Sequence, residues 1–137
     1  MYTGSCLCGA VSFEIDAALE PIQICHCGQC RKAQGSAFAA NIPVPVSAYR
    51  LLSGADQLGS YESSPGKQRV FCTGCGSPLF SKRVDLPEVL RVRAGTIDGE
   101  LATQVIAHFY AASKANWFEL TDDLPRFPGA YVPPEQQ

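Results

Sequence analysis

The residues of this chain best suited to chemistry are its seven cysteines, which fall into three closely spaced groups. The groups are two pairs, Cys6-Leu7-Cys8 and Cys72-Thr73-Gly74-Cys75, and one triplet, Cys25-His26-Cys27-Gly28-Gln29-Cys30. In a reducing compartment, cysteines at such spacing bind metal or react more often than they form disulfides. An odd number would also leave a pure disulfide framework unbalanced, so the pattern predicts metal binding.

The C-x-x-C pair is the strongest local metal signal. Two thiolates separated by two residues can reach one tetrahedral zinc ion, at about 2.3 Å each. A C-x-C pair in an extended segment can do the same, because residues i and i+2 face the same way. Each pair supplies two ligands and structural zinc takes four, so the groups must combine in space.

Three arrangements of these ligands are open. In the first, the two pairs close one structural zinc site and the triplet forms a second, open site with three thiolates. In the second, Cys27 and Cys30 join the 72–75 pair, which leaves the first pair and Cys25. In the third, one zinc binds and three cysteines are ordinary thiols. We favour the first, because it keeps each cluster intact and divides a closed structural site from an open catalytic one.

The open site has a distinct chemistry. Three thiolates leave bound zinc with a net charge near −1, which suits it to binding a fourth thiolate better than to making hydroxide. A thiol substrate is the natural fourth ligand, because coordination deprotonates it. Cys27 begins a predicted helix, whose free N–H groups favour anions. Arg31 and Lys32 follow. They either bind a substrate carboxylate or are solvent-exposed basic residues without a role in binding.

The two histidines are candidates for proton transfer. His108 lies in the apolar segment 105–110, where it is either a hydrogen-bonded core residue or a catalytic proton shuttle near the open site. His26 lies between two predicted ligands and points away from the metal if the segment is extended. A role outside the coordination sphere, or exposure to substrate or solvent, is therefore predicted for His26.

The elements that position these residues are mainly β-strands. Apolar and polar residues alternate over 11–15, as in a half-buried strand, and glycines and prolines separate other short β-like runs. Segment 28–34 lacks β-branched residues and precedes Gly35, which predicts one helix of two turns. We expect one domain over 1–128 and an extended tail over 129–137. The further predicted strands are 37–42, 49–52, 59–62, 69–71, 79–82, 90–94 and 103–110.

Charge and hydropathy exclude several classes of function. The net charge is −2 and the isoelectric point about 5.6, with basic residues scattered, so neither nucleic acid nor an anionic membrane is an expected partner. No apolar run is long enough to span a bilayer. Residues 1–5 have no basic start and no apolar run after them, so the expected compartment is the cytoplasm.

The cysteine groups and several later segments also carry a family resemblance that covers the chain up to about residue 128. In this order and content they resemble the glutathione-dependent formaldehyde-activating family. The matching segments are GSCLCGAV at 4–11, CHCGQCRKA at 25–33, FCTGCGS at 71–77, AGTID at 94–98, HF at 108–109 and SKANWF at 113–118.

The resemblance implies a β-tent-like fold of several short coiled antiparallel sheets pinned by zinc, with one short helix near the triplet. It implies two zinc ions, one structural on the two cysteine pairs and one catalytic on the triplet. It also implies addition of glutathione or a similar thiol to formaldehyde or another small aldehyde, formally a carbon–sulfur lyase step. Further basic residues could bind the carboxylates of that thiol, namely Lys67, Arg69, Arg91 and Arg93.

Two other readings of the residues stay open. One is a non-enzymatic zinc module that binds or carries a thiol metabolite, or that senses zinc or oxidants through the triplet. The other is a protein in which both zinc ions only support the fold. The residues do not decide the identity of the thiol or the aldehyde, or the oligomeric state.

Overall fold

The computed structural model describes residues 1–130, which form ten strands, one α-helix and four 3₁₀ turns. The strands are β1 Tyr2–Ser5, β2 Ser12–Ile15, β3 Ile22–Cys25, β4 Ala39–Pro45, β5 Tyr49–Ser53, β6 Leu58–Ser64, β7 Lys67–Cys72, β8 Pro78–Arg83, β9 Leu86–Arg93 and β10 Val105–Phe109. The helix α1 spans Gly28–Gln34, and the 3₁₀ turns are Val46–Ala48, Ala55–Gln57, Ala94–Thr96 and Ala111–Ser113.

The strands form two sheets. The smaller sheet has the order β1-β2-β5 and the larger the order β10-β3-β4-β9-β8-β7-β6. All neighbours are antiparallel except β3 and β10, which pair in parallel at one edge of the larger sheet. The predicted mainly β fold is confirmed, and the β3–β10 pair departs from the predicted antiparallel pairing.

The hydrophobic core lies between the two sheets. Phe13 of β2 stacks on Tyr49 of β5 with ring centroids 5.0 Å apart, and Tyr49 contacts the Phe80 ring of β8 in the larger sheet. The predicted alternation in β2 is confirmed, since Phe13 and Ile15 are buried while Glu14 faces outward and bonds to Arg50. Burying these apolar side chains provides the main free energy of folding. The fully buried core also includes Val11, Ile42, Leu79 and Val92.

The short helix is confirmed with the predicted bounds. It ends at Gly35, which adopts φ 62° and donates its N–H to the carbonyl oxygen of Arg31 at 2.8 Å. That left-handed conformation favours glycine.

Two strands were not predicted. One is β1, where Gly4 lies so close to the Phe13 ring and the Thr96 carbonyl that a Cβ atom would clash. The other, β3, ends within the cysteine triplet.

The segment after β10 folds back beside that strand. Phe127 donates its N–H to the carbonyl of His108 at 2.8 Å, and Tyr110 donates to Gly129 at 2.9 Å. The predicted tail over 129–137 is therefore hydrogen-bonded at its first residue, Gly129, while residues 131–137 lie outside the described residues. Within residues 1–130, no helix combines the length and apolar character needed to cross a bilayer.

Candidate functional site

The two cysteine pairs meet where the two sheets join. The four Sγ atoms lie within 4.8 Å of one another. Cys6 and Cys8 belong to the turn between β1 and β2 in the smaller sheet, whereas Cys72 ends β7 and Cys75 lies in the turn to β8 in the larger one. The cluster therefore connects turns from both sheets.

Local hydrogen bonds hold these turns in place. Gly76 adopts φ 77° and donates its N–H to the carbonyl of Cys72 at 2.7 Å, which closes the C-x-x-C turn. The Ser77 hydroxyl accepts the N–H of Leu7 at 2.8 Å and contacts the Cys75 sulfur at 3.3 Å. The Ser77 hydrogen bond, with backbone N–H groups, lowers the pKa of Cys75 to about 5. This turn therefore favours the thiolate that a metal requires.

The four sulfur atoms fit a zinc ion. The Cys6 and Cys8 sulfurs are 3.6 Å apart, and those of Cys8 and Cys72 are 3.8 Å apart. Around a tetrahedral zinc with bonds of about 2.3 Å, neighbouring sulfurs stand about 3.8 Å apart. Donor type, donor number and spacing therefore all suit a closed structural site.

The triplet forms a separate cluster, again with its sulfur atoms within 4.8 Å of one another. Cys25 ends β3, Cys27 precedes α1 and Cys30 lies in its first turn, where its N–H donates to the Cys27 sulfur at 3.3 Å. The structure thus groups the cysteines as in the first arrangement, and Cys27 and Cys30 do not join the 72–75 pair. Three thiolate donors suit zinc with one coordination position left for another ligand.

The triplet is open to solvent on one side. A cavity of about 420 Å³ lies against Cys25 and Cys27, and a smaller one of about 160 Å³ lies against Cys25 and Cys30. Lys67, Arg83 and Tyr110 line both cavities, so the two are adjacent, and we refer to them together as the recess beside the thiols. The other lining residues are Gly28, Gln29, Ser64 and Pro65 in the larger cavity, and Gln23, Asn41, Arg91, Phe109 and Ala130 in the smaller.

One face of the larger sheet carries the positive charge around this recess. Residues opposite each other on neighbouring strands share a face, and the register pairs Lys67 with Arg83 and Ser81 with both Arg69 and Arg91. Like charges so close repel each other. Within residues 1–130, the exposed pair of Arg83 with Asp85 is the one ion pair that these cations make. The face therefore favours anionic ligands.

Two arginines of the larger sheet, Arg69 and Arg93, are buried. Arg69 donates to the Cys30 sulfur at 3.7 Å, and Arg93 donates to the Asn41 carbonyl oxygen at 2.6 Å. Burial lowers the pKa of Arg93 to about 10. Contacts with Cys25 and Cys27, aided by Arg69 and opposed by burial, lower the pKa of Cys30. The buried guanidinium of Arg69 thus favours the thiolate form of Cys30.

Tyr110 is the strained residue of the site. Its backbone adopts φ 55°, and within residues 1–130 it is the one residue other than glycine with a positive φ. Such a conformation costs about 1–3 kcal/mol, and it clusters at functional sites. Tyr110 lines the recess beside Cys25 and Cys27 and is 40% exposed. Neither Tyr110 nor Arg83 was identified from the sequence, since each becomes notable only through its neighbours in space.

The predicted basic residues at 31 and 32 lie elsewhere. Arg31 is half-buried and Lys32 exposed, and neither lines the two cavities beside the triplet. Their role in carboxylate binding stays a prediction. Of the further candidates, Lys67 and Arg91 do line the recess, and Arg69 contacts Cys30.

The histidines lie on the opposite face of β3 and β10. Cys25 and Phe109 line the recess, whereas Ile24 and His108 line a different cavity. His26 is fully buried and its Nε2 lies 2.8 Å from Nδ1 of His108. Burial first, and then the neighbouring His108, lower the pKa of His26. The prediction that His26 points away from the metal agrees with this geometry, while the catalytic role of His108 stays a prediction.

Comparison with known proteins places this geometry in a family. The sequence model of the family described as glutathione-dependent formaldehyde-activating enzyme matches residues 1–113. A protein of Halomonas elongata, provisionally named a glutathione-dependent formaldehyde-activating enzyme, is 32% identical over 126 residues, which cover 85% of this chain and 79% of that protein. An uncharacterised lyase of Schizosaccharomyces pombe is 32% identical over 79 residues, which cover 58% of this chain and 56% of the lyase.

A solved structure shares the fold. The crystal structure of a Rhodobacter sphaeroides protein superposes with a TM-score of 0.62 at 25% sequence identity, and the match covers 75% of this chain and 98% of the other. The family match spans all three cysteine groups and every strand of both sheets. This chain therefore belongs to the glutathione-dependent formaldehyde-activating enzyme family.

Proposed function

We propose that this chain is an enzyme that adds glutathione or a similar acidic thiol to formaldehyde or another small aldehyde, formally a carbon–sulfur lyase reaction. The observation that carries the proposal is the convergence of the three thiols of Cys25, Cys27 and Cys30 beside a recess with a cationic wall. Family membership supports both the thiol and the aldehyde, because relatives carry those substrates in their names.

The two clusters have different proposed roles. The closed four-cysteine cluster would hold a structural zinc that ties the sheets together. The triplet would hold a second zinc, which favours the thiolate form of the thiol substrate when it is bound. The protein's own contribution is to gather three thiolates at the wall of an open recess.

The cations of the recess would bind and orient the thiol. Lys67, Arg83 and Arg91 line the cavity beside Cys25, at a position where acidic groups of the substrate can reach them. Glutathione has two carboxylates, and charge-assisted hydrogen bonds to them would hold its sulfur toward the triplet. Lys67 and Arg91 are partly desolvated and make no ion pair within residues 1–130, so their binding to a carboxylate would break no internal ion pair, whereas Arg83 is shared with the exposed Asp85.

Tyr110 would assist the addition step. As the new carbon–sulfur bond forms, the carbonyl π electrons move to the aldehyde oxygen, which needs a proton. The Tyr110 hydroxyl can donate it and recover a proton from solvent, while the proton of the thiol is released to solvent. The product is a hydroxyalkyl thioether, so atoms and charge balance. The alternative, a thiol carrier or sensor, has the same ligands but no turnover.

We expect two zinc ions per chain in native protein, and one in each of the variants Cys30→Ser and Cys72→Ser. The reason is that each substitution removes one ligand from a different cluster. Metal analysis measures the stoichiometry, and thermal unfolding measures stability. Cys72→Ser should lower the melting temperature much more than Cys30→Ser, because only the former opens the junction of the sheets. Equal destabilisation would instead mean that both metals only support the fold.

Catalysis itself is tested by adduct formation from formaldehyde and glutathione. The exchange rate between free and adduct glutathione, measured by NMR, should rise in proportion to protein concentration. Cys30→Ser protein, which retains the four-cysteine cluster, is the control and should leave the uncatalysed rate unchanged. Saturable glutathione binding without any rate increase would rule out the enzyme and favour the carrier.

Removal of a recess cation should weaken thiol binding. Arg83→Gln is expected to raise KM for glutathione about tenfold, since a hydrogen bond to a charged group contributes about 1.5 kcal/mol or more. KM for the uncharged thiol 2-mercaptoethanol should not change. Lys82→Gln is the matched control, because Lys82 precedes Arg83 on β8, has the same charge and lines neither cavity. An equal change in KM for glutathione in both variants would contradict the proposed role of Arg83 in binding the thiol.

Loss of the Tyr110 hydroxyl should slow the chemical step. Tyr110→Phe keeps the ring and backbone, and we expect kcat to fall about 100-fold with little change in KM for glutathione, because general-acid assistance contributes at least that factor. Steady-state kinetics provide both constants. Tyr61→Phe, at an exposed position on β6, is the control and should behave as the native protein. An unchanged kcat in Tyr110→Phe would remove the hydroxyl from the mechanism.

A further inference from the structure

Three ionisable side chains form a hydrogen-bonded chain on the side of β3 away from the recess. The His26 and His108 rings are joined at 2.8 Å between Nε2 and Nδ1. Nε2 of His108 lies 2.9 Å and 3.2 Å from the two carboxylate oxygens of Asp122. Both rings are buried, with 0% and 5% exposure, so the chain connects the protein interior to a surface carboxylate.

Asp122 reaches His108 because the last described segment folds against β10. His108 donates its N–H to the carbonyl of Pro125 at 2.9 Å, and its own carbonyl accepts from Phe127. The Asp122 carboxylate also accepts the N–H of Leu124 at 3.0 Å, and this second hydrogen bond orients the carboxylate. The family match ends at residue 113, so Asp122 belongs to a part of this chain that the family description does not cover.

The carboxylate determines which ring nitrogens carry hydrogen. An ionised carboxylate only accepts hydrogen bonds, so Nε2 of His108 is the donor to Asp122. With both rings neutral, Nδ1 of His108 is then an acceptor and Nε2 of His26 is its donor. The hydrogen bond from His108 also lowers the pKa of Asp122, which keeps the carboxylate ionised. Asp122 thereby orients both rings.

The hydrogen-bonded series of side chains ends at His26, which lies within the cysteine triplet. His26 is the residue between Cys25 and Cys27, and its backbone N–H donates to the carbonyl of Phe109 at 2.9 Å. In an extended segment, rotation of the middle residue also rotates the side chains on either side of it. A ring fixed by hydrogen bonds on one face therefore limits where the two neighbouring sulfurs can point on the other face.

We propose that Asp122 is a positioning residue, which acts through His108 and His26 to hold the 25–27 segment in the arrangement that gathers the three thiols. Groups that orient metal ligands from outside the coordination sphere typically change metal affinity 10- to 100-fold when they are removed. The proposal concerns metal binding by the triplet and does not rest on catalysis, so it can fail or succeed independently of the proposed enzyme activity.

The test compares Asp122→Ala with Asp123→Ala in the full chain. Asp123 is adjacent, exposed and equally charged, but its side chain makes none of the contacts described above. Zinc affinity is measured by competition with a chelator, and the triplet is distinguished by comparison with Cys30→Ser. We expect Asp122→Ala to weaken zinc binding 10- to 100-fold at the triplet alone. In cobalt-loaded Asp122→Ala protein, the sulfur-to-cobalt charge-transfer absorption band of the triplet should differ from that of the native protein.

A second substitution separates positioning from folding. Asp122→Asn retains an acceptor for the Leu124 N–H but lacks the charge, so we expect an intermediate loss of zinc affinity at the triplet with an unchanged melting temperature. Equal affinities in the Asp122→Ala and Asp123→Ala proteins would overturn the proposal. So would an equal loss at both zinc sites, or a native triplet that binds neither zinc nor cobalt.

Discussion

The convergence of four cysteine sulfurs at the junction of the two sheets is the constraint on which the architecture depends. The smaller sheet supplies one turn and the larger sheet supplies the other. Between them lies a core in which Phe13 stacks on Tyr49, and Tyr49 meets the Phe80 ring edge to face across the two sheets. The core is moderate for a chain of 137 residues, so the proposed zinc at this junction would add stability where apolar burial is limited.

The alternation of side chains along β3 places the cysteines and the histidines on opposite faces of the strand. Because successive side chains of β3 point to opposite faces, Cys25 faces the cationic recess while Ile24 and His26 face the interior. The same alternation on β10 directs Phe109 to the recess and His108 to the other side. The thiols thereby face the recess, and the hydrogen bond between His26 and His108 lies in the protein interior. The cysteine thiols and the hydrogen-bonded histidines therefore lie in separate environments, although they are only a few residues apart.

Much of this arrangement could be predicted from sequence, because its causes are local. The spacing of the cysteines leaves three arrangements open and favours the one that keeps each group intact, which the structure shows. The bounds of α1 follow from Gly35 and the absence of β-branched residues. The recess could not be predicted. Lys67, Arg83 and Arg91 lie on three strands and meet only through register. Tyr110 is notable for its backbone conformation, and Asp122 for a contact across 14 residues. Such features depend on tertiary pairing, which a single sequence does not encode in any local pattern.

The separation of the first cysteine pair from its partners has a consequence for biosynthesis. Cys8 and Cys72 are 64 residues apart, and β3 pairs with a strand more than 80 residues further along the chain. Contacts this distant form slowly, and during translation the amino-terminal thiols emerge long before the second pair exists. A nascent chain therefore carries the Cys6 and Cys8 thiols without their partner pair while the next 64 residues are added. The proposed structural zinc site could be completed only after the second pair has been made.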